Sequence, residues 1–217
     1  MFKSETVWNR SWGAPVMTIS NGCSRGRASL SAILALLAVL LCAPAGWASD
    51  ARSSTGPAVG TALAETLVFK DQTGASRDFS SLTGESGLVL VFSRSLSWCP
   101  FCIADARDWA TRVDAAAAKG VNIAIAIYDD PDTLAGFAKR FGARITLLSD
   151  TGSKVINALG ILNEEHAPGS FAHGIPHPIV FVIDAKGVVR SRFSETSYAQ
   201  RPDKERVLGA AFALGGN

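Results

Sequence analysis

The sequence predicts a mixed α/β fold in which helices cover both faces of a central sheet. Two largely apolar runs, "GLVLVFSR" (87–94) and "VNIAIAIY" (121–128), are the first observation. A strand covered on one face alternates apolar with polar residues, whereas a strand covered on both reads as a continuous apolar run. Helical patterns between the strands are the second, because strands that alternate with helices run largely parallel. A hairpin near the end, "IVFVID" (179–184) and "VVRSRF" (188–193) joined by Ala185-Lys186-Gly187, adds antiparallel strands.

The elements follow in order. The stretch "SDARSSTGPAVG" (49–60) is small and polar and reads as a linker, so the folded domain is expected over 61–217. "TLVFK" (66–70) is a strand and "DQTG" (71–74) a turn. After the first buried strand, Ile103, Ala106, Ala110, Val113 and Ala117 recur at helical spacing, and Gly120 ends that helix. Past the second buried strand, Asp130 caps a helix that has Pro131 at its first position and Gly142 at its close. "ITLLSD" (145–150) is a short strand and Ser153 to about Leu159 a short helix; a loop with all three histidines, His166, His173 and His177, follows. Asp203 caps a last helix that runs to about Leu214.

Residues 1–48 have the pattern of an export signal. Arg25 and Arg27 precede the apolar run Leu30–Cys42, and Gly46-Trp47-Ala48 offers a cleavage site, with Ala43-Pro44-Ala45 as a second. An exported, periplasmic protein is expected; the alternative is a membrane anchor formed by residues 28–48, with transient membrane association. Of 21 basic and 19 acidic residues, four and one fall in the first 48, which leaves 17 against 18 and a net charge of −1. Such a surface has no attraction for a polyanion, so no nucleic-acid partner is expected.

Cleavage after Ala48 removes Cys23 and Cys42 and leaves Cys99 and Cys102, in "SWCPFC" (97–102). So close a pair closes too short a loop to staple a domain. It lies between a buried strand and a helix, where reactive sites of such sheets gather. Cys99 falls at the helix N-terminus, where free N–H groups and the dipole favour a thiolate. Cys102, one turn on, is placed to resolve a mixed disulfide. Haem attachment would need a histidine after the second cysteine, and Ile103 stands there. A dithiol–disulfide redox centre is the chemistry this spacing supports best.

"LVLVFSRSLSWCPFC" followed by a helix resembles the active-site segment of thioredoxin-fold proteins, and "GIPHPIVFVIDAKGVV" (174–189) resembles the proline-then-strand motif of that fold. With "DPDTLAGFAKRFG", "LLSDTGSKVINALGIL" and Arg201-Pro202, the chain from about Thr61 onward is similar to redoxins of the alkyl hydroperoxide reductase/thiol-specific antioxidant group, the peroxiredoxin-like proteins. The resemblance implies a thioredoxin-like fold with Pro178 as a cis-proline facing the cysteines. Trp98, Pro100 and Phe101 would shape the site. His177 is either an acid–base group or metal ligand near the thiols or a surface residue preceding the proline; the surface position is the expectation. Arg94 either turns inward to a thiolate or ends the strand as an outward charge; the outward position is the expectation. Arg190 and Arg192 read as a solvated sheet face.

In peroxiredoxins a Thr or Ser stands three positions before the peroxide-attacking cysteine. With Cys99 as that cysteine, the position is Leu96. The first expectation is therefore an exported thiol–disulfide oxidoreductase that needs no cofactor beyond an external disulfide or dithiol partner. A peroxiredoxin-like thiol peroxidase is the alternative. A third possibility is a copper-binding chaperone using Cys99, Cys102 and His177.

Overall fold

The computed structural model describes residues 55–195 and 197–216. The expected signal over 1–48 and the first part of the linker lie outside the described residues. Seven strands form one mixed sheet in the order β2-β1-β5-β4-β3-β6-β7. Its centre is β3 (Gly87–Phe92), β4 (Val121–Ile127) and β5 (Thr146–Ser149), which run parallel, with Val89 opposite Ile123 and Ile125 opposite Leu147. β6 (Ile179–Asp184) pairs antiparallel with β3 and then with β7 (Val189–Ser194), as the hairpin predicts. On the other edge β1 (Val68–Asp71) and β2 (Ser76–Asp78) form a second hairpin. β2 and the single-turn helix α1 (Phe79–Leu82) were not expected from sequence; their polar stretch "ASRDFSS" has no periodicity to show them.

The apolar runs have two faces to fill. In β3, Val89 and Val91 face a core that includes Trp109, Leu134, Phe137 and Val207. Leu88, Leu90 and Phe92 face an opposite core with Phe69, Phe79, Ile156 and Phe181. Period-two geometry explains why the strand carries no polar residue. Helices α2 (Pro100–Ala110), α3 (Val113–Ala117), α4 (Pro131–Phe141) and α6 (Lys204–Phe212) contribute to the first core. α1 and α5 (Lys154–Ala158) contribute to the second. A 3-10 turn over Ala213–Gly216 follows α6.

Local chemistry sets the helix ends. The Asp130 carboxylate accepts from the Thr133 N–H at 2.8 Å, Pro131 occupies the first turn, and Gly142 closes α4 in the left-handed region at φ 60°. The helix expected from Ile103 to Gly120 is instead two, α2 and α3. Thr111 Oγ1 donates to the Asp108 carbonyl at 2.8 Å, competing for the backbone where the helix breaks. Within the stretch expected to be a linker, Gly60 N–H donates to the Val189 carbonyl at 2.8 Å, so its described end lies against the sheet.

Candidate active site

The cysteines sit where β3 gives way to α2. Cys99 is the N-cap of α2, and the Cys102 N–H donates to Cys99 Sγ at 3.3 Å. The two sulfurs are joined as a disulfide. Neither is open to solvent: Cys99 is 2% and Cys102 0% exposed. Pro100 and Phe101 are exposed at the head of the helix, and the Phe101 ring meets Tyr198 edge-on. Trp98 is half-buried; its indole N–H donates to Tyr128 Oη at 3.0 Å, and its ring packs against Phe171. Phe171 is 78% exposed, so aromatic rings rim the disulfide at the surface.

The turn before Cys99 is held by an acid that sequence reasoning missed. Asp129, just past the end of β4, accepts from the Leu96 N–H at 2.7 Å and the Ser95 hydroxyl at 3.1 Å. Ser95 Oγ in turn accepts from the Ser97 N–H at 3.0 Å. Burial pushes the Asp129 carboxyl above the usual carboxylate range, and the Leu96 and Ser95 donors offset part of that. Its place at the carboxyl end of a buried strand was the available signal. Leu96 itself is buried in the core shared with both cysteines.

A second set of missed residues comes from the far end of the chain. Arg201 Nη2 lies 3.4 Å from Cys102 Sγ. Arg201 Nε lies 3.4 Å from Asp105 Oδ2, and Lys204 Nζ lies 2.7 Å from Asp105 Oδ1. Lys204 also reaches Asp108 at 3.1 Å. Asp105 is on α2, one turn beyond Cys102, so the buried carboxylate fixes the guanidinium beside the sulfur. Burial lowers the Arg201 pKa, Asp105 restores part of it, and nearby Arg94 lowers it again.

Arg94 corrects the sequence expectation. It is 9% exposed, not outward, and its guanidinium packs over the rings of Tyr198 (4.3 Å) and Trp98 (5.1 Å). β3 ends at Phe92, so strand alternation no longer dictates where residue 94 points. Arg192 is not a solvated charge either: its guanidinium donates to the carbonyls of Thr55, Gly56 and Pro57. Arg190 does lie at the surface, paired with Asp184 at 2.7 Å.

Pro178 stands directly before β6 as expected, but its peptide bond is trans, as are all those of the described residues. The His177 N–H donates to the Ile161 carbonyl at 2.8 Å, and Pro176 bridges Leu162. This extended pairing leads straight into Ile179 and needs no reversal. His177 and Pro178 line a cavity of about 760 Å³ with Arg94, Tyr198, Ile179 and Asn163. His173 Nδ1 lies 3.0 Å from the His166 carbonyl, away from the sulfurs in sequence and bonding. No group of three or more metal-ligating side chains converges among the described residues, so Cys99, Cys102 and His177 do not form the ligand set a copper chaperone would use.

The pattern of the AhpC/TSA family matches residues 60–192. Peroxiredoxin Bcp of Escherichia coli strain K12 is 27% identical over 141 residues, which covers 65% of this chain and 88% of that protein. Among solved structures, a peroxiredoxin-like protein from Aquifex aeolicus superposes with a TM-score of 0.64 at 21% identity, covering 75% of this chain and 90% of that one. Peroxidoxin BcpB from Mycobacterium tuberculosis superposes with a TM-score of 0.58 at 24% identity, covering 73% and 96%. The fold is the thioredoxin-like fold of these proteins.

Proposed function

The chain belongs to the AhpC/TSA family and is an oxidoreductase of the redoxin type, and on that premise we propose that it is a thiol peroxidase in which Cys102 attacks the peroxide and Cys99 resolves. The relatives favour this activity over the disulfide exchange that the sequence put first. One observation carries it: the Arg201 guanidinium beside Cys102 Sγ.

Peroxide reduction needs a thiolate and donors for the charge that develops on the leaving oxygen. With Cys102 as the attacking group the residue three before it is Cys99 instead of Leu96, so no Thr or Ser hydroxyl stands there either and the donor must come from elsewhere. At Cys102 a guanidinium stands within reach, and it serves both needs, since a hydrogen bond from a charged donor is roughly twice as strong as a neutral one. In the reduced protein the Cys102 thiolate attacks the outer oxygen of the hydroperoxide. The S–O bond forms, the O–O bond breaks, and the departing alkoxide takes up a proton as the alcohol. The sulfur is left as a sulfenic acid. Cys99 then attacks that sulfur, the S–S bond forms, and hydroxide leaves with the Cys99 thiol proton as water. An external dithiol restores the pair and is itself oxidised to a disulfide.

A second assignment has support of its own. Cys99 sits at the helix N-cap and accepts the Cys102 N–H, which favours a thiolate there. Trapping of the sulfenic acid separates the two. Reduced Cys99→Ser and Cys102→Ser are treated with peroxide and then dimedone. Adduct on Cys102 in the Cys99→Ser protein, with none in Cys102→Ser, is expected; the reverse pattern gives the attack to Cys99. If neither reacts while both exchange with a model disulfide, the protein is a disulfide reductase. Export through residues 1–48, with a periplasmic site of action, is part of the same proposal and rests on the Leu30–Cys42 run alone.

A further inference from the structure

The cavity lined by Arg94 has a feature the peroxidase chemistry does not use. Arg94 is more than nine-tenths buried, yet it forms no ion pair among the described residues. Its Nε is buried without a hydrogen-bond partner. The cation also sits close enough to Arg201 to lower that group's pKa, so two like charges are held near each other and only one has a carboxylate. Burying a guanidinium unpaired is costly, and a site that keeps one is matched to an anion that arrives from outside.

The shape of the site selects the anion. The Tyr198 and Trp98 ring centroids lie 4.3 and 5.1 Å from the Arg94 guanidinium carbon, and the N–H edge of that guanidinium makes no ion pair among the described residues. A planar carboxylate meets such an edge with two parallel bonds. The rest of the wall includes Pro178, Ile179 and the Tyr198 ring, apolar surface for a carbon chain. At about 760 Å³ the cavity has the size of small-molecule sites, which run from roughly 300 to 1,000 Å³. Two of its lining residues lead towards the cysteines: Arg94 packs on Trp98, which precedes Cys99, and Tyr198 packs on Phe101, between the two. Glu165 is the acidic residue on the lining and opposes an anion there.

We propose that this cavity is a carboxylate-binding subsite, anchored by Arg94, for an organic hydroperoxide that carries a carboxylate. The occupant's identity rests on the peroxidase activity proposed above; the carboxylate recognition does not.

Calorimetric titration of the full, reduced chain with decanoate tests it without turnover. Saturable binding of decanoate is expected, with decanol at least roughly tenfold weaker, the margin a lost charge-assisted pair gives. Arg94→Gln is expected to weaken decanoate by a similar factor and Arg94→Lys to restore part of it. Glu165→Gln should tighten binding, a gain that damage to the fold cannot mimic. Equal binding of decanoate and decanol overturns the subsite. So does inorganic phosphate that binds where decanoate does not, or an affinity that neither Arg94→Lys nor Glu165→Gln changes. In turnover assays decanoate should compete with hydroperoxide; competition with the reducing dithiol instead would make the assigned occupant wrong. Binding that behaves as expected in a protein with no peroxide turnover leaves the subsite standing and removes the peroxidase proposal. Turnover without selective binding does the opposite.

Discussion

Replacing Arg201 by Met in the Cys99→Ser background isolates what the guanidinium does for Cys102. The N···S distance is 3.4 Å, and the same guanidinium is shared with Asp105 at 3.4 Å and with the Gln200 carbonyl at 2.8 Å. Hydrogen bonds to charged groups contribute about 1.5–3 kcal/mol. A shared donor at this distance belongs at the lower end, and the Arg201 side chain, at 14% exposure, is little screened by water. A loss of about 1.4 kcal/mol is one factor of ten in rate. The Arg201→Met protein should therefore be alkylated by iodoacetamide at pH 6, and oxidised by hydrogen peroxide, roughly tenfold more slowly. Arg201→Lys keeps the charge and should recover part of the rate. Thiolate absorbance at 240 nm followed against pH should show the titration moving upward in Arg201→Met. An unchanged alkylation rate in a folded Arg201→Met protein would refute the assignment of Cys102 as the attacking thiol. So would a slowing seen only when Cys99 is the cysteine retained.

Three further outcomes are expected. Burial opposes the charge of Asp71, but the Thr73 hydroxyl, Arg77 and the Thr73 and Ala75 N–H groups hold its pKa down at about 2, against an ordinary 3.8. A depressed carboxyl stabilises the fold above its unfolded pKa. About 2 kcal/mol of stability should therefore be lost as pH falls from 4 towards 2, and urea titrations should show Asp71→Asn less stable at pH 7 and flatter through that window. Trp109, 1% exposed on the buried face of α2, should cost about 3–5 kcal/mol when replaced by Ala, read as a lowered denaturation midpoint; a loss below 1 kcal/mol would mean the core refills. If the proposed export signal is cleaved, N-terminal sequencing of the purified protein should find Ser49 first, and an intact Met1 or Met17 on membrane-bound protein would replace cleavage with an anchor.

The parts of this molecule that could be read in the sequence are those written by local chemistry. The β3 and β4 runs announce strands covered on both faces, and Asp130, Pro131 and Gly142 mark both ends of α4. Cys99 and Cys102 are visible because their spacing and their place between strand and helix are local facts. Their electrostatic setting is not. Arg201 is 99 residues from Cys102, and although Arg201-Pro202 is part of the family resemblance, no local pattern shows that it turns back towards α2. Asp129 stands beside Asp130, which caps a helix, and no local pattern shows that its carboxylate holds the turn into the site. Arg94 was misplaced because it lies two residues beyond the last strand residue, where periodicity has no authority. The trans bond before Pro178 follows from the pairing of 176 and 177 with 161 and 162, a contact between two loops.

The arrival of Arg201 from the last elements of the fold bears on how the protein is made. A chain synthesised only as far as β7 already holds both cysteines, yet lacks Arg201, Lys204 and the helix that carries the lysine. If the guanidinium is what makes Cys102 reactive, a nascent chain carries an ordinary dithiol. Its thiols gain their reactivity only when α6 docks and Asp105 finds its two cations. Completion of the fold then acts as the safety catch on the chemistry, and oxidants met before α6 docks find little to attack.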